Sequence, residues 1–333
     1  MKIIPVFLHY DYGIKERGET LEYQGKGWLY ALKQLPAEVF PFWWDDVKED
    51  KDTLQRALIN LVNEIKPDII FFTLIYDEFS FETLDYLKNT CTTINWFWDD
   101  HWRFDSFTKY YAPHFTYCIT TDKFAVIRYK KIGYTNVILT KPASFEYQKD
   151  CDFEQIQYRY DVSFVGMRSG YREWIIKQLE KRKIHVQYFG TGWETGRLSY
   201  EQMAELFKVS KINLNISNSI SYDIRYIVSH YRNFKEFIKS PKRVEQIKAR
   251  NFEIPAFGGF QLTNYVPSLE DYFVIGKEIA IYTTLNDLLL QIDYYLQNEE
   301  ERRKIMINGY RRLVNDGPTY VERFKEIFSR IKI

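Results

Sequence analysis

Cysteine, imbalance of charge and long apolar runs are all scarce in this chain of 333 residues. Its three cysteines, Cys91, Cys118 and Cys151, stand far apart in the sequence. They make no metal-spaced pair, and an odd number argues against a disulfide framework, so they read as reduced thiols. The 46 basic and 45 acidic residues leave a net charge of +1. That balance excludes the basic excess expected of a nucleic-acid groove. No stretch approaches the ~18 consecutive apolar residues of a spanning helix. Met1-Lys2-Ile3-Ile4-Pro5-Val6 enters a strand pattern directly, without a signal-peptide layout. The expected location is cytoplasmic, with contact at the inner face of a membrane left open. No repeat of 20–50 residues is visible, which excludes a solenoid.

What the chain has is apolar and aromatic content. Hydrophobic residues make up 45%, enough for full cores, and the length suits two ordinary domains. Aromatics reach 18%, with 27 Tyr and 25 Phe. The plainer explanation is a compositional habit; the other is that some rings stack on the C–H faces of sugars.

Elements alternate along the first half. Residues 2–9, 39–44, 69–75, 93–98, 115–120 and 136–140 read as strands. Residues 26–35, 80–89 and 122–132 read as helices. Leu54, Ala57, Leu58, Leu61, Val62 and Ile65 recur at steps of three and four, the spacing of one helical face. The apolar run Ile69 to Ile75 suits a strand covered on both sides. Residues 146–160 lack a period and read as a linker. Strands then recur at 161–166, 185–189, 212–216 and 260–263. Helices are expected at 171–182, 203–208, 241–252, 285–296, 298–312 and 318–331, and residues 217–240 read as irregular. Strands separated by helices imply parallel crossovers. The fold class is α/β, with two Rossmann-like domains facing across a cleft: residues 1–145, and 161–333 with the last helix able to pack back on the first domain. Ligands of such sheets bind beyond the carboxyl ends of the strands.

The densest chemistry lies in residues 241–264, PKRVEQIKARNFEIPAFGGFQLTN. A carboxylate such as Glu253 can accept both hydroxyls of a ribose. Gly258 and Gly259 would let backbone amides approach a diphosphate, with Lys248 and Arg250 supplying positive charge. The alternative is a solvated basic helix followed by an ordinary glycine turn. A second segment, Val162 to Arg172, reads as strand, glycine turn and helix. There Gly166, Arg168 and Arg172 could hold a phosphate at a helix N-terminus, or Gly166 could serve tight turning alone. The loop Gly190 to Gly196 has one residue too many for a dinucleotide fingerprint and reads as a loop that can touch the base.

In the first half, His9 ends the first strand and a polar loop, Ile14 to Gln24, follows it. His9 is a candidate catalytic base, or a loop residue that merely hydrogen-bonds. Trp96 to Asp105 gathers carboxylates, an imidazole, an arginine and indoles. Asp99 or Asp100 could take a proton from an acceptor hydroxyl or hold a sugar. A helix cap with a salt bridge to Arg103 is the plainer alternative, and a metal site is the least favoured.

The segment 248–263 resembles the signature of group 1 glycosyltransferases of the spore-maturation-protein-B-like branch. Lys248, Arg250, Phe252, Glu253, Pro255, Gly258, Gly259, Phe260, Leu262 and Thr263 fit its pattern, and the likeness runs over about residues 160–325. Where members often carry His-Thr-Tyr, this chain has Pro318-Thr319-Tyr320. The resemblance implies a GT-B fold with the nucleotide on the second domain and no essential metal or other cofactor. It implies that Glu245 and Glu253 match the paired glutamates of retaining members, Glu253 at the ribose and Glu245 near the donor sugar or its phosphates. The implied activity is transfer of a sugar from a nucleoside-diphosphate sugar, UDP-linked among the candidates, to a glycan, lipid-linked or protein acceptor. A sugar-nucleotide epimerase and a non-catalytic surface- or spore-assembly binding protein remain as alternatives on the same fold.

Overall fold

A computed structural model of the protein describes residues 1–20, 27–47, 50–217 and 221–332. Residues 21–24 of the loop expected at the first strand's end, Glu22 among them, lie outside the described residues. The chain divides into two compact units, Met1–Phe145 with Thr319–Ile333, and Glu146–Pro318.

The first unit is built on β1 (Lys2–Phe7), β2 (Glu38–Val39), β3 (Phe42–Trp43), β4 (Ile69–Phe72), β5 (Thr92–Phe97), β6 (Tyr117–Thr120) and β7 (Val137–Leu139). All are parallel, in the order β2-β1-β4-β5-β6-β7, with β3 also on β1. The strand expected over 39–44 is split in two. Pro41 stands between the halves and has no N–H for the ladder. The register continues across the gap, Ile3 opposite Val39 and Val6 opposite Phe42. The helix Lys51–Ile65 buries Leu54, Leu58 and Val62 on one sheet face, as the periodicity requires. Asp50 caps its start by accepting from the Thr53 amide, and Lys66 ends it in the left-handed conformation just before Pro67.

The other face of this sheet is covered by the helix Trp28–Lys33 and by the far end of the chain. Helix Tyr320–Ser329, opened by the Thr319–Glu322 capping box, brings Phe324 edge-on to Trp28 at 5.2 Å and to Phe71 at 5.6 Å. Trp96 and Tyr320 complete this aromatic layer.

The second unit carries β8 (Tyr160–Val165), β9 (Val186–Phe189), β10 (Ser210–Asn215), β11 (Gln261–Asn264) and β12 (Ala280–Tyr282), parallel in the order β12-β11-β10-β8-β9. Buried Asn213 ties it together. Its amide oxygen accepts from Ser163 at 2.8 Å, and its nitrogen donates to the carbonyls of Phe207 and Phe260.

Three expectations are corrected in this unit. Residues 241–249 are not helical, and the helix begins only at Arg250; the preceding segment has no regular secondary structure and buries the adjacent Gln246 and Ile247, which one helical face would not. Residues read as irregular form helices Ile224–Ser229 and Tyr231–Lys239. The short strand β12 was not expected at all.

Both sheets reverse direction internally. From β1 the chain moves first to β2 and β3 on one side, then to β4 on the other. From β8 it moves to β9 on one side and to β10 on the other. Each reversal opens a crevice at the strands' carboxyl ends. Phe324→Ala, which empties the aromatic layer, is expected to destabilise the first unit by about 3–5 kcal/mol. Urea unfolding followed by tryptophan fluorescence would read it.

Candidate functional site

The crevice of the second unit lies between the ends of β8 and β10. Strand β8 runs into Gly166-Met167-Arg168-Ser169, and helix Gly170–Lys181 follows, its N-terminus capped by the Ser169 side chain. Arg172, in the first turn, reaches across the gap. Its Nε and Nη2 donate to the Ile216 carbonyl at 2.9 and 2.7 Å, and its Nη1 donates to the Met167 carbonyl at 2.8 Å. One guanidinium thus joins the turn after β8 to the turn after β10. Gly166 makes this fit, because a Cβ there would lie 2.8 Å from the Phe164 ring and 3.2 Å from the Arg172 guanidinium.

The loop 190–193 is laced onto the same turn. The Trp193 indole donates to the Gly166 carbonyl at 2.8 Å, and the Arg168 amide donates to Thr191 at 2.8 Å. Gly190 has φ 139°, and a Cβ on it would stand 2.2 Å from the Gly166 oxygen. The Arg168 side chain turns back to Glu173, donating at 2.9 and 3.0 Å.

Glu245 enters this edge from the irregular segment before Arg250. It accepts from the Ser217 hydroxyl, while the Ser217 amide donates to Asn264 at the end of β11 at 2.8 Å. Burial, and then the nearby positive charge of Arg250, push the Arg172 guanidinium down to about 10, against the opposing influence of Glu245. Arg172 is therefore a largely desolvated cation whose hydrogen bonds go to neutral carbonyls. Lys248 is exposed on the same segment.

The remaining residues of the signature are turned inward. Glu253 is only 4% exposed and pairs with Arg250 at 2.7 Å. Burial raises its carboxyl and Arg250 opposes that shift. To accept ribose hydroxyls it would have to leave this pair. The cradle expected of Gly258 and Gly259 has no free amides, since they donate to the carbonyls of Pro255 and Ile254 and close the helix. These glycines allow close packing instead. A Cβ on Gly258 would meet the Cys151 sulfur at 2.7 Å, and one on Gly259 the Asn213 side chain at 2.8 Å.

In the first unit, the crevice beyond β1, β4 and β5 is a cavity of about 250 Å³. Asp11, Tyr12, Thr73, Trp98, Asp99 and Arg103 line it over an apolar floor. Buried Glu78 holds the wall after β4 by accepting from the amides of Ile75 and Tyr76 at 2.9 and 2.8 Å. Arg103 lies 4.3 Å over the Phe107 ring. Carboxylates to accept hydroxyl protons, a guanidinium to donate and aromatic faces to cover C–H surfaces suit a polyhydroxylated ligand. Asp11 and Tyr12 lie in the segment that ends the first strand, an edge the sequence marks, whereas Thr73 carries no signal of its own and is brought in only by the topology.

The other candidates of this unit separate. Asp99 lines the cavity. Asp100 is 1% exposed and points into the core, accepting from Thr108 at 2.7 Å and from the Tyr129 hydroxyl at 3.0 Å. As placed, it cannot reach a substrate. His9 is not part of the cavity lining. Its Nδ1 lies 2.9 Å from Asp46, its Nε2 3.5 Å from Glu19, and its ring stacks on Tyr10. Asp105 pairs with Arg128 at 2.5 Å. Among the described residues no group of His, Cys, Asp and Glu is arranged to hold a metal, and no helix is long and apolar enough to cross a membrane.

Comparisons with known proteins agree with this architecture. The model of a family described as glycosyl transferase-like matches residues 168–329. Among solved structures, sucrose-phosphate synthase from Thermosynechococcus elongatus superposes with a TM-score of 0.64 at 11% identity, over 99% of this chain and 98% of that one. A glycosyltransferase from Rickettsia africae gives 0.59 at 10% identity, over 99% and 97%. HepE from Anabaena, solved with UDP and glucose, gives 0.56 at 10% identity, over 99% and 100%. No curated protein matches the chain. The fold is that of the GT-B glycosyltransferases, two Rossmann-like domains each with a parallel sheet.

Asp100 yields a test of its burial. Desolvation, opposed by its hydrogen bonds, raises its carboxyl from 3.8 to about 7. An acid whose folded pKa is raised contributes stability that is fully present below its unfolded pKa and lost as pH rises through the folded one. The chain should therefore lose stability between about pH 4 and 7 through this group. Asp100→Asn should remove that slope, so its urea midpoint relative to the native chain rises from pH 5 to pH 8.

Proposed function

We propose that the chain is a glycosyltransferase that moves a sugar from a nucleoside-diphosphate sugar to a glycan, lipid-linked or protein acceptor. The observation that carries this is the Arg172 guanidinium, held by the Ile216 and Met167 carbonyls at the carboxyl edge of the second sheet, in a chain whose residues 168–329 match a glycosyl transferase-like family. A largely desolvated guanidinium held by neutral carbonyls favours a diphosphate placed beside it. The N-terminus of helix Gly170–Lys181 adds its dipole at the same place.

In this reading the donor's diphosphate draws on Arg172, Arg250 and Lys248. Arg250 then exchanges Glu253 for phosphate oxygens, and the released carboxylate takes the ribose hydroxyls. Glu245, oriented by Ser217, lies toward the donor sugar. The glutamate spacing supports retention of anomeric configuration, and the match of Lys248 to Thr263 with the signature supports the spore-maturation-protein-B-like branch. Because the leaving diphosphate would be balanced by guanidinium groups, no metal is assigned to the reaction. As the glycosidic bond to the diphosphate breaks, fixed positive charge stabilises the leaving group at little cost in reorganisation. UDP is the first nucleoside diphosphate to try, since HepE is a fold relative solved with it.

The cavity of the first unit is the acceptor side. Asp99 accepts the proton of, or orients, the attacking hydroxyl; Asp11 and Arg103 hold further polar groups; Trp98 and Tyr12 cover the ring.

The test is a calorimetric titration of the full chain with UDP, GDP and ADP, paired with a transfer assay. Arg172→Ala should weaken binding of the preferred diphosphate about 10- to 100-fold, the loss of a charge-assisted hydrogen bond. Glu253→Ala should weaken the nucleoside diphosphate but not inorganic pyrophosphate. Asp99→Asn should leave nucleotide affinity unchanged and lower transfer about 100-fold or more. Nucleotide affinity untouched by Arg172→Ala would remove the basis of the donor assignment.

A further inference from the structure

We infer that the paired helices Ile224–Ser229 and Tyr231–Lys239 form a docking patch for the surface of an anionic lipid bilayer. A surface helix ordinarily turns an apolar stripe toward its own core. Helix Tyr231–Lys239 buries no residue at all. Tyr231, Phe234 and Ile238, spaced by three and four so that they share one face, are 68%, 52% and 58% exposed. Ile224 and Val228 of the preceding helix are exposed as well.

The patch is nevertheless anchored. Tyr226 and Ile227 are buried, and the Tyr226 ring packs on Tyr171 at 5.3 Å and on Trp174 at 5.7 Å. The Tyr222 hydroxyl donates to the Arg243 carbonyl at 3.0 Å and joins the two ends of the excursion. The apolar face is thus held outward on a fixed base.

Charge selects the occupant. Residues 231–243 hold five basic side chains, Arg232, Lys235, Lys239, Lys242 and Arg243, against one acidic, Glu236. The whole chain is only +1, so this is a local concentration. At 100° per residue, Arg232, Lys235 and Lys239 fall along one border of the apolar stripe. Apolar and aromatic side chains beside long cationic ones are what a helix lying in a bilayer interface requires: the rings enter the headgroup boundary and the cations reach the phosphates.

The inference goes beyond the transferase reading and is read without donor or acceptor, so either can fail alone. The experiment is flotation of the full chain with phosphatidylcholine vesicles, with and without phosphatidylglycerol. Binding is expected only to the anionic vesicles and should weaken as salt rises. Phe234→Ser/Ile238→Ser and Lys235→Glu/Lys239→Glu should each lower partitioning about tenfold or more, with circular dichroism and melting temperature unchanged. Absence of binding, equal binding to both vesicles, or binding unaffected by either variant would overturn the inference. So would a concentration-dependent dimer in sedimentation that Phe234→Ser/Ile238→Ser converts to monomer, since the patch would then serve a second copy of the chain.

Discussion

Arg172 is where the sequence, the topology and the candidate chemistry of the second unit converge. A parallel sheet that winds outward in two directions leaves a gap where the windings part, and the gap needs something to bridge it. Here the bridge is a guanidinium held by two backbone carbonyls. It fits only because Gly166 offers no Cβ and Gly190 lets its loop close over the same turn. The carbonyls fix its orientation but carry no full charge. Arg250 is paired with Glu253, so the charge held by carbonyls alone is that of Arg172.

The first unit meets the same topological problem differently. Its gap is left open as a cavity, with Asp99 at the rim and its neighbour Asp100 inside the core. The two carboxylates are adjacent in sequence yet have opposite tasks. Asp100 ties the segment after β5 to Thr108 and Tyr129, which keeps Asp99 and Arg103 in place around the cavity. Glu78 performs a comparable service behind β4.

Much of the fold was legible because burial imposes periodicity. The run Ile69 to Ile75 could only be a covered strand, and Leu54, Leu58 and Val62 mark one helical face. What periodicity could not show was an amphipathic face with no core to meet. Residues 224–239 read as irregular because their apolar positions were diluted by charge, and β12 is too short to carry a pattern. The candidate site was legible in part. Arg172 and Gly166 fall in the crevice that strand, glycine and helix implied. Gly258 and Gly259 looked like a phosphate cradle because glycine pairs serve that use, yet their amides close a helix and their missing side chains admit Cys151 and Asn213. Sequence shows that a backbone is bare without showing what approaches it. The cavity residues Asp11 and Tyr12 follow β1 and Thr73 follows β4, two strand ends that share no motif.

The helix Tyr320–Ser329 has a consequence for how the protein is made. Its aromatic residues seal a sheet whose strands all lie before residue 140. During synthesis the first sheet must therefore wait, one apolar face covered only in part by the helix Trp28–Lys33, while Glu146–Pro318 emerges and can complete its own core. The unit that begins first is finished last, and the nascent chain is most exposed to misassociation or to capture by a chaperone in that interval.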